Sequence, residues 1–175
     1  VWQPRNMHNE RWLELRLRAQ RYRPADQFPP YDTIIGEQHA LFSNHPGTTF
    51  IAAHLGWLGS DLDQLGMLLD ANPNVYTEIG AVVQELGRQP RFAASWLTQY
   101  KDRVLFGKDF YNPVEFHTYV RVLETDHEYF PDYRKYHAFW RLYGLSLPED
   151  VLRAIYYENA LRIIPGLDRS LFPSA

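Results

Sequence analysis

Thr48-Thr49-Phe50-Ile51-Ala52-Ala53-His54, then Val75-Tyr76-Thr77-Glu78-Ile79, then Val104-Leu105-Phe106-Gly107 are the runs on which the reading of the fold turns. The first is short, β-branched and apolar, and follows the turn signal Asn44-His45-Pro46-Gly47. An apolar run without alternation predicts a strand buried on both faces, as in a parallel sheet. Ser60 is then the expected N-cap of a helix, with Asp61 and Asp63 in the first turn, where the helix dipole favours acids. Leu62, Leu65, Leu68 and Leu69 follow at helical spacing, and Asn72-Pro73-Asn74 ends the helix. Residues 48–79 thus have the size of one strand–helix–strand unit. The rhythm repeats. Pro90 suits a first helical turn, Phe92, Trp96 and Tyr100 share a helix face, and Lys101-Asp102-Arg103 turns the chain into the third strand.

Working outward, Asp32 is expected to cap a helix carrying Ile34, Ile35, Leu41 and Phe42. Ser146-Leu147-Pro148-Glu149 matches a capping box and predicts a long helix through Val151, Leu152, Ile155, Tyr156 and Ile163. Between the third strand and that helix lies an insertion over residues 110–145, rich in Tyr, Phe, Glu and Asp. Residues 118–125 within it are expected to be helical, and 126–136 to be loop. Near the start, Arg16, Arg18, Arg21 and Arg23 interleave with apolar residues and read as a solvated helix face.

Composition bounds what such a chain can do. Its 175 residues suffice for one domain with a substantial core, and 45% hydrophobic against 22% charged residues is a globular balance. A net charge of -3 gives no basic footprint, so no nucleic-acid partner is expected. No apolar run reaches membrane-spanning length and no signal-peptide pattern opens the chain, so no membrane partner is expected either. The absence of cysteine excludes disulfides, a zinc ribbon and a thiol nucleophile, and fits a reducing, cytoplasmic setting. The 5 Trp, 12 Tyr and 10 Phe suggest thick packing layers and a pocket walled by flat apolar rings. Opening on Val1 instead of Met, the chain reads as a processed or excerpted product.

In parallel α/β folds, chemistry gathers at the C-terminal ends of strands, where the loops converge. Those ends carry His54, Glu78 and Asp109, all residue types that bind metal or move protons. Each alone has an ordinary explanation, a core histidine or an aspartate helix cap. Together they carry more weight, because His54 and Asp109 share a parity and alternate strands of a barrel point side chains into the same layer. Trp57, Phe110 and Tyr111 follow the two key loops as candidates for a pocket wall, with plain packing as the competing role.

Thr49-Phe50-Ile51-Ala52-Ala53-His54-Leu55-Gly56, Asn74-Val75-Tyr76-Thr77-Glu78-Ile79, Arg103-Val104-Leu105-Phe106-Gly107-Lys108-Asp109 and Ile155-Tyr156-Tyr157-Glu158-Asn159-Ala160 stand in this order. So arranged, they resemble the last three strands and closing helix of the amidohydrolase-related family, which includes aminocarboxymuconate-semialdehyde decarboxylase-like enzymes and related lactone hydrolases. Asn9-Glu10-Arg11-Trp12 resembles that family's segment after its fifth strand. The resemblance implies an α/β fold, the C-terminal portion of a (β/α)8 TIM barrel (about strands 6 to 8 with flanking helices), with residues 1–175 a single partial domain. It also implies a divalent metal, usually zinc. Asp109 would bind it and handle the proton of the activated water, and His54 would polarise substrate or bind metal. A metal lowers the pKa of bound water towards neutrality, and a carboxylate beside it can hold the proton. Two positions depart from the pattern: Lys108 stands where a threonine is usual, and Glu78 where an aspartate is often near, so Glu78 is given no firm role. Asn159 reads as a packing residue.

The family's His-x-His pair has no counterpart here, and His8, His39, His45, His117, His127 and His137 lack ligand spacing. Three strands cannot close an eight-stranded barrel. The expected remedy is a missing N-terminal barrel segment or a partner chain, with room for a homo-oligomer. The implied activity is metal-dependent hydrolysis of a small carboxylic or cyclic substrate. Its rivals are non-oxidative decarboxylation on the same metal site and a non-catalytic barrel fragment acting as an interaction module.

Overall fold

The three apolar runs form one parallel sheet in a computed structural model that describes residues 1–134 and 140–173. Its strands, in the order β1-β2-β3, are Phe50–Ala52, Val75–Glu78 and Val104–Leu105. Ala52 registers with Thr77 and Thr77 with Val104, so these side chains share a face. That face is buried under helices α2 (Tyr31–Asn44), α3 (Leu62–Ala71) and α5 (Pro90–Gln99), which contribute Ile35, Leu62, Leu65, Leu69 and Leu97 to the same core as Val75 and Val104. Each such leucine stabilises the fold by roughly 2 kcal/mol. The opposite face carries Ile51, Tyr76 and Glu78, and Ile51 is 43% exposed. The expectation of a β1 buried on both faces therefore fails, because helices cover only one side of it.

Three parallel strands do not close on themselves, and no further strand joins this sheet among the described residues. The α/β class stands, as a mixed fold with small sheets and no closed barrel. The outer edge of β3 is covered by the last helix rather than by a strand. This helix runs as α7 (Glu149–Arg153), a π-helical turn over Ala154–Glu158, and α8 (Asn159–Ile163). The Phe106 N–H donates to Ile155 O at 2.7 Å, and Asn159 Nδ2 donates to Val104 O at 2.7 Å. Asn159 is fully buried and also donates to Lys101 O, so it pins the helix to the strand edge rather than merely packing.

Several local expectations change. Asp61, not Ser60, caps α3 by accepting from the Gln64 N–H. Asp32 lies in the first turn of α2 without capping it. The Ser146 box does not form: Ser146 takes a left-handed φ of 47° and its N–H goes to Thr125 O, leaving Pro148 at the N-cap. On α5 the buried face is Ala93, Trp96 and Leu97, while Phe92 is exposed. Helix α6 spans Pro113–Glu124, and the stretch read as loop contains β4 (Phe130–Pro131), which pairs antiparallel with β5 (Arg141–Leu142). Of that stretch, Lys135 and Tyr136 lie outside the described residues. Two short helices, α1 (Trp12–Leu17) and α4 (Val83–Gly87), complete the wall beside the sheet's C-terminal ends. No helix among the described residues is long and apolar enough to cross a membrane.

Candidate active site

The chain leaves β1 in an unusual way. His54 (φ 58°, ψ 44°), Leu55 (54°, 33°), Gly56 (59°, 22°) and Trp57 (φ 64°) form a left-handed turn. For the three non-glycine residues this costs about 1–2 kcal/mol each, so the surroundings must hold it. Leu55 is fully buried, the Tyr31 hydroxyl donates to Trp57 O at 2.7 Å, and the Glu78 carboxylate accepts the His54 backbone N–H. Strained backbone held in this way concentrates at functional sites.

The turn throws the His54 ring towards the ends of β2 and β3. Its Nδ1 lies 2.7 Å from Gly80 O. A carbonyl only accepts, so Nδ1 carries the proton and the neutral ring keeps its lone pair on Nε2. Asp109 Oδ1 lies 3.6 Å from the same Nδ1 and Glu78 Oε1 lies 3.5 Å away. The structure thus brings His54, Glu78 and Asp109 together. The parity argument does not explain the meeting, because both key residues lie beyond their strands, which end at Ala52 and Leu105. The left-handed turn after β1 and the bend at Asp109-Phe110 after β3 bring them together instead.

A cavity of about 890 Å³ opens beside this trio, and His54, Asp109, Trp57 and Phe110 line it. Trp57 meets the His54 ring edge-on with centroids 5.9 Å apart. Tyr111, the third wall candidate, points away and packs on Phe116. The Lys108 ammonium is almost fully buried, paired with Glu115 and placed 4.3 Å from the Phe110 ring centroid. A threonine could not make that pair, so the departure at Lys108 anchors α6 to the site. Tyr119 accepts the Ala81 N–H, and burial, with Tyr133 adding to it, holds its hydroxyl protonated far above the ordinary tyrosine range.

The far wall of the cavity was not read from the sequence. Glu14 and Glu85 are both buried there, and each is clasped by arginines: Glu14 by Arg11 (2.9 Å) and Arg21 (3.1 Å), Glu85 by Arg11 and Arg88. Arg88 also pairs with Glu10 and lies over the Trp140 ring at 3.9 Å. Of the arginines expected on a solvated face, Arg16 and Arg18 are exposed, and Arg21 is part-exposed but turned to Glu14. The available signals were the i,i+3 spacings Arg11–Glu14 and Glu85–Arg88.

The family model described as Amidohydrolase matches residues 28–166. The chain belongs to the amidohydrolase family. No curated protein and no solved structure gives a match. The matched residues include His54, Glu78 and Asp109, while Asn9-Glu10-Arg11-Trp12 falls before them. Enzymes of this family often use a divalent metal, so the donors present bear on that chemistry. His54 has the orientation usual in metal-binding histidines, one ring nitrogen bonded to a backbone carbonyl and the other free. Asp109 offers a part-exposed carboxylate. Glu78 does not line the cavity, and its two oxygens are occupied by the N–H groups of His54 and Gly80. Accordingly, no group of three or more such side chains among the described residues is placed to hold a metal ion. The two donors suit a metal as part of a set, since catalytic zinc sites use three protein ligands. The remaining described histidines, His8, His39, His45, His117 and His127, do not line the cavity, and His137 lies outside the described residues.

Proposed function

We propose that this chain supplies one wall of the active site of a metal-dependent hydrolase acting on a small carboxylic or cyclic substrate. His54 and Asp109 are its donors towards a divalent cation, zinc by preference. What supports the reading is the meeting of an imidazole and a carboxylate from two separate strand ends at one cavity, 3.6 Å apart. A divalent cation bound there would act as a Lewis acid and lower the pKa of a coordinated water. The protein's own groups then have defined tasks. His54 Nε2 offers a lone pair, Asp109 holds or releases a proton at its carboxylate, and Trp57 and Phe110 give the cavity apolar walls beside them.

On this reading residues 1–175 are one partial domain, corresponding to about strands 6 to 8 of a (β/α)8 barrel. The remaining ligands come from a further barrel segment or a partner chain that pairs at the open β1 edge. The test is metal analysis of the complete protein together with turnover of small lactones, esters and amides. About one zinc per barrel is expected, and Asp109→Asn should lower turnover by about 10³-fold with the fold intact. Wild-type rates in that variant would contradict the reading. Carbon dioxide release from aromatic or enoic acids without hydrolysis would replace it with decarboxylation, and a metal-free protein that only docks on a partner would replace it with an interaction module.

A further inference from the structure

Glu78 ends β2 in the middle of the site yet stays out of the cavity. Its two oxygens make two separate attachments: one accepts the His54 N–H and the other accepts the Gly80 N–H. The same two residues carry the donor and the acceptor of the ring hydrogen bond, His54 Nδ1 to Gly80 O at 2.7 Å. One carboxylate therefore holds both ends of the contact that sets the His54 tautomer. The space around it is built to the same purpose. A β-carbon at Gly80 or at Gly107 would overlap the Glu78 carboxylate, so glycine at both positions leaves room for it. The left-handed turn at His54, which L-residues resist, aims the His54 N–H at Glu78.

We propose that Glu78 is a positioning residue that fixes the orientation and tautomer of His54 by gripping the His54 and Gly80 peptides on its two oxygens. The inference deepens the proposed active-site reading and rests on it only for the importance of His54. Its readout is the ring itself, so it can fail while the hydrolase reading survives, and the reverse. A carboxylate accepts on both oxygens, whereas glutamine accepts on one and would point an NH2 group at the other N–H.

The experiment is long-range ¹H–¹⁵N correlation on histidine-labelled protein freed of metal by a chelator, since a metal on Nε2 would itself hold the Nδ1–H form, above about pH 8, where imidazoles are neutral, with His54 assigned through His54→Gln. The wild type should show His54 wholly as the Nδ1–H tautomer. In Glu78→Gln its two ring nitrogens should move towards an averaged shift while the other histidines stay put. Gly107→Ala, which keeps the carboxylate but occupies its space, should do the same. A His54 tautomer unchanged in either folded variant overturns the proposal, even if the melting temperature falls. Should both variants fail to fold, amide exchange in the wild type decides. His54 and Gly80 should exchange about 10²-fold more slowly than open loop amides, and exchange at open-loop rates overturns the proposal.

Discussion

The two ends of the same parallel sheet differ in what their polar groups hold. At the N-terminal end, side-chain donors satisfy backbone carbonyls: Arg103 donates to Leu69 O, Asn72 O and Val75 O, Asn74 to His45 O and Thr48 O, and Asn159 to Lys101 O and Val104 O. At the C-terminal end such bonds recur, from His54 to Gly80 O and from Tyr31 to Trp57 O, but there the backbone N–H groups of His54 and Gly80 also converge on a carboxylate. The left-handed non-glycine residues next to the sheet, His54, Leu55, Trp57 and Ala81, all lie at the C-terminal end. One end spends its polar groups on stability. The other carries strain to aim an imidazole and a carboxylate at a cavity, as expected where a fold positions reactive groups.

Substitutions can break this contrast. Arg103→Ala should cost the most, about 4 kcal/mol, because three carbonyls lose their donor together. Chemical denaturation measures it, and a loss below about 1 kcal/mol would mean that water replaces the guanidinium freely. Asn159→Ala should cost about 2 kcal/mol through the two carbonyls it satisfies, one of them on the β3 edge. Ala81→Gly sharpens the contrast from the other side. Its φ of 57° disfavours alanine, so glycine should stabilise by about 1 kcal/mol. In a chain of this size that raises the melting temperature by about 2–4 °C. A destabilised Ala81→Gly would show that no strain is stored at that position.

The sequence foretold the sheet far better than the site. Three apolar runs at parallel-unit spacing matched β1, β2 and β3 in their observed order, because strands packed under helices select apolar and β-branched residues whatever the ends do. Strand β1 proved shorter than its apolar run because the left-handed turn begins directly after it, and Leu55 and Trp57 announce no such turn by their propensities. Helix α4 was missed for another reason: Val83, Gln84, Glu85, Leu86 and Gly87 are all buried, polar residues included, so no amphipathic period exists to read. His54 and Asp109 were identified by residue type and strand-end position, and the structure brings them together by a turn rather than by strand parity. Glu78 was left without a role because its function lies in two backbone contacts, which no side-chain pattern encodes. The Glu14–Arg11–Glu85 wall joins residues 74 apart in the chain, a pairing set by tertiary contact alone.

The central claim is that His54 and Asp109 serve one cation at the head of this sheet. Anomalous diffraction at the zinc edge from crystals of the complete protein tests it most directly. A peak is expected within about 2.0–2.2 Å of both His54 Nε2 and an Asp109 carboxylate oxygen. A zinc peak bonded to neither residue, in crystals where the metal is fully bound, would contradict it.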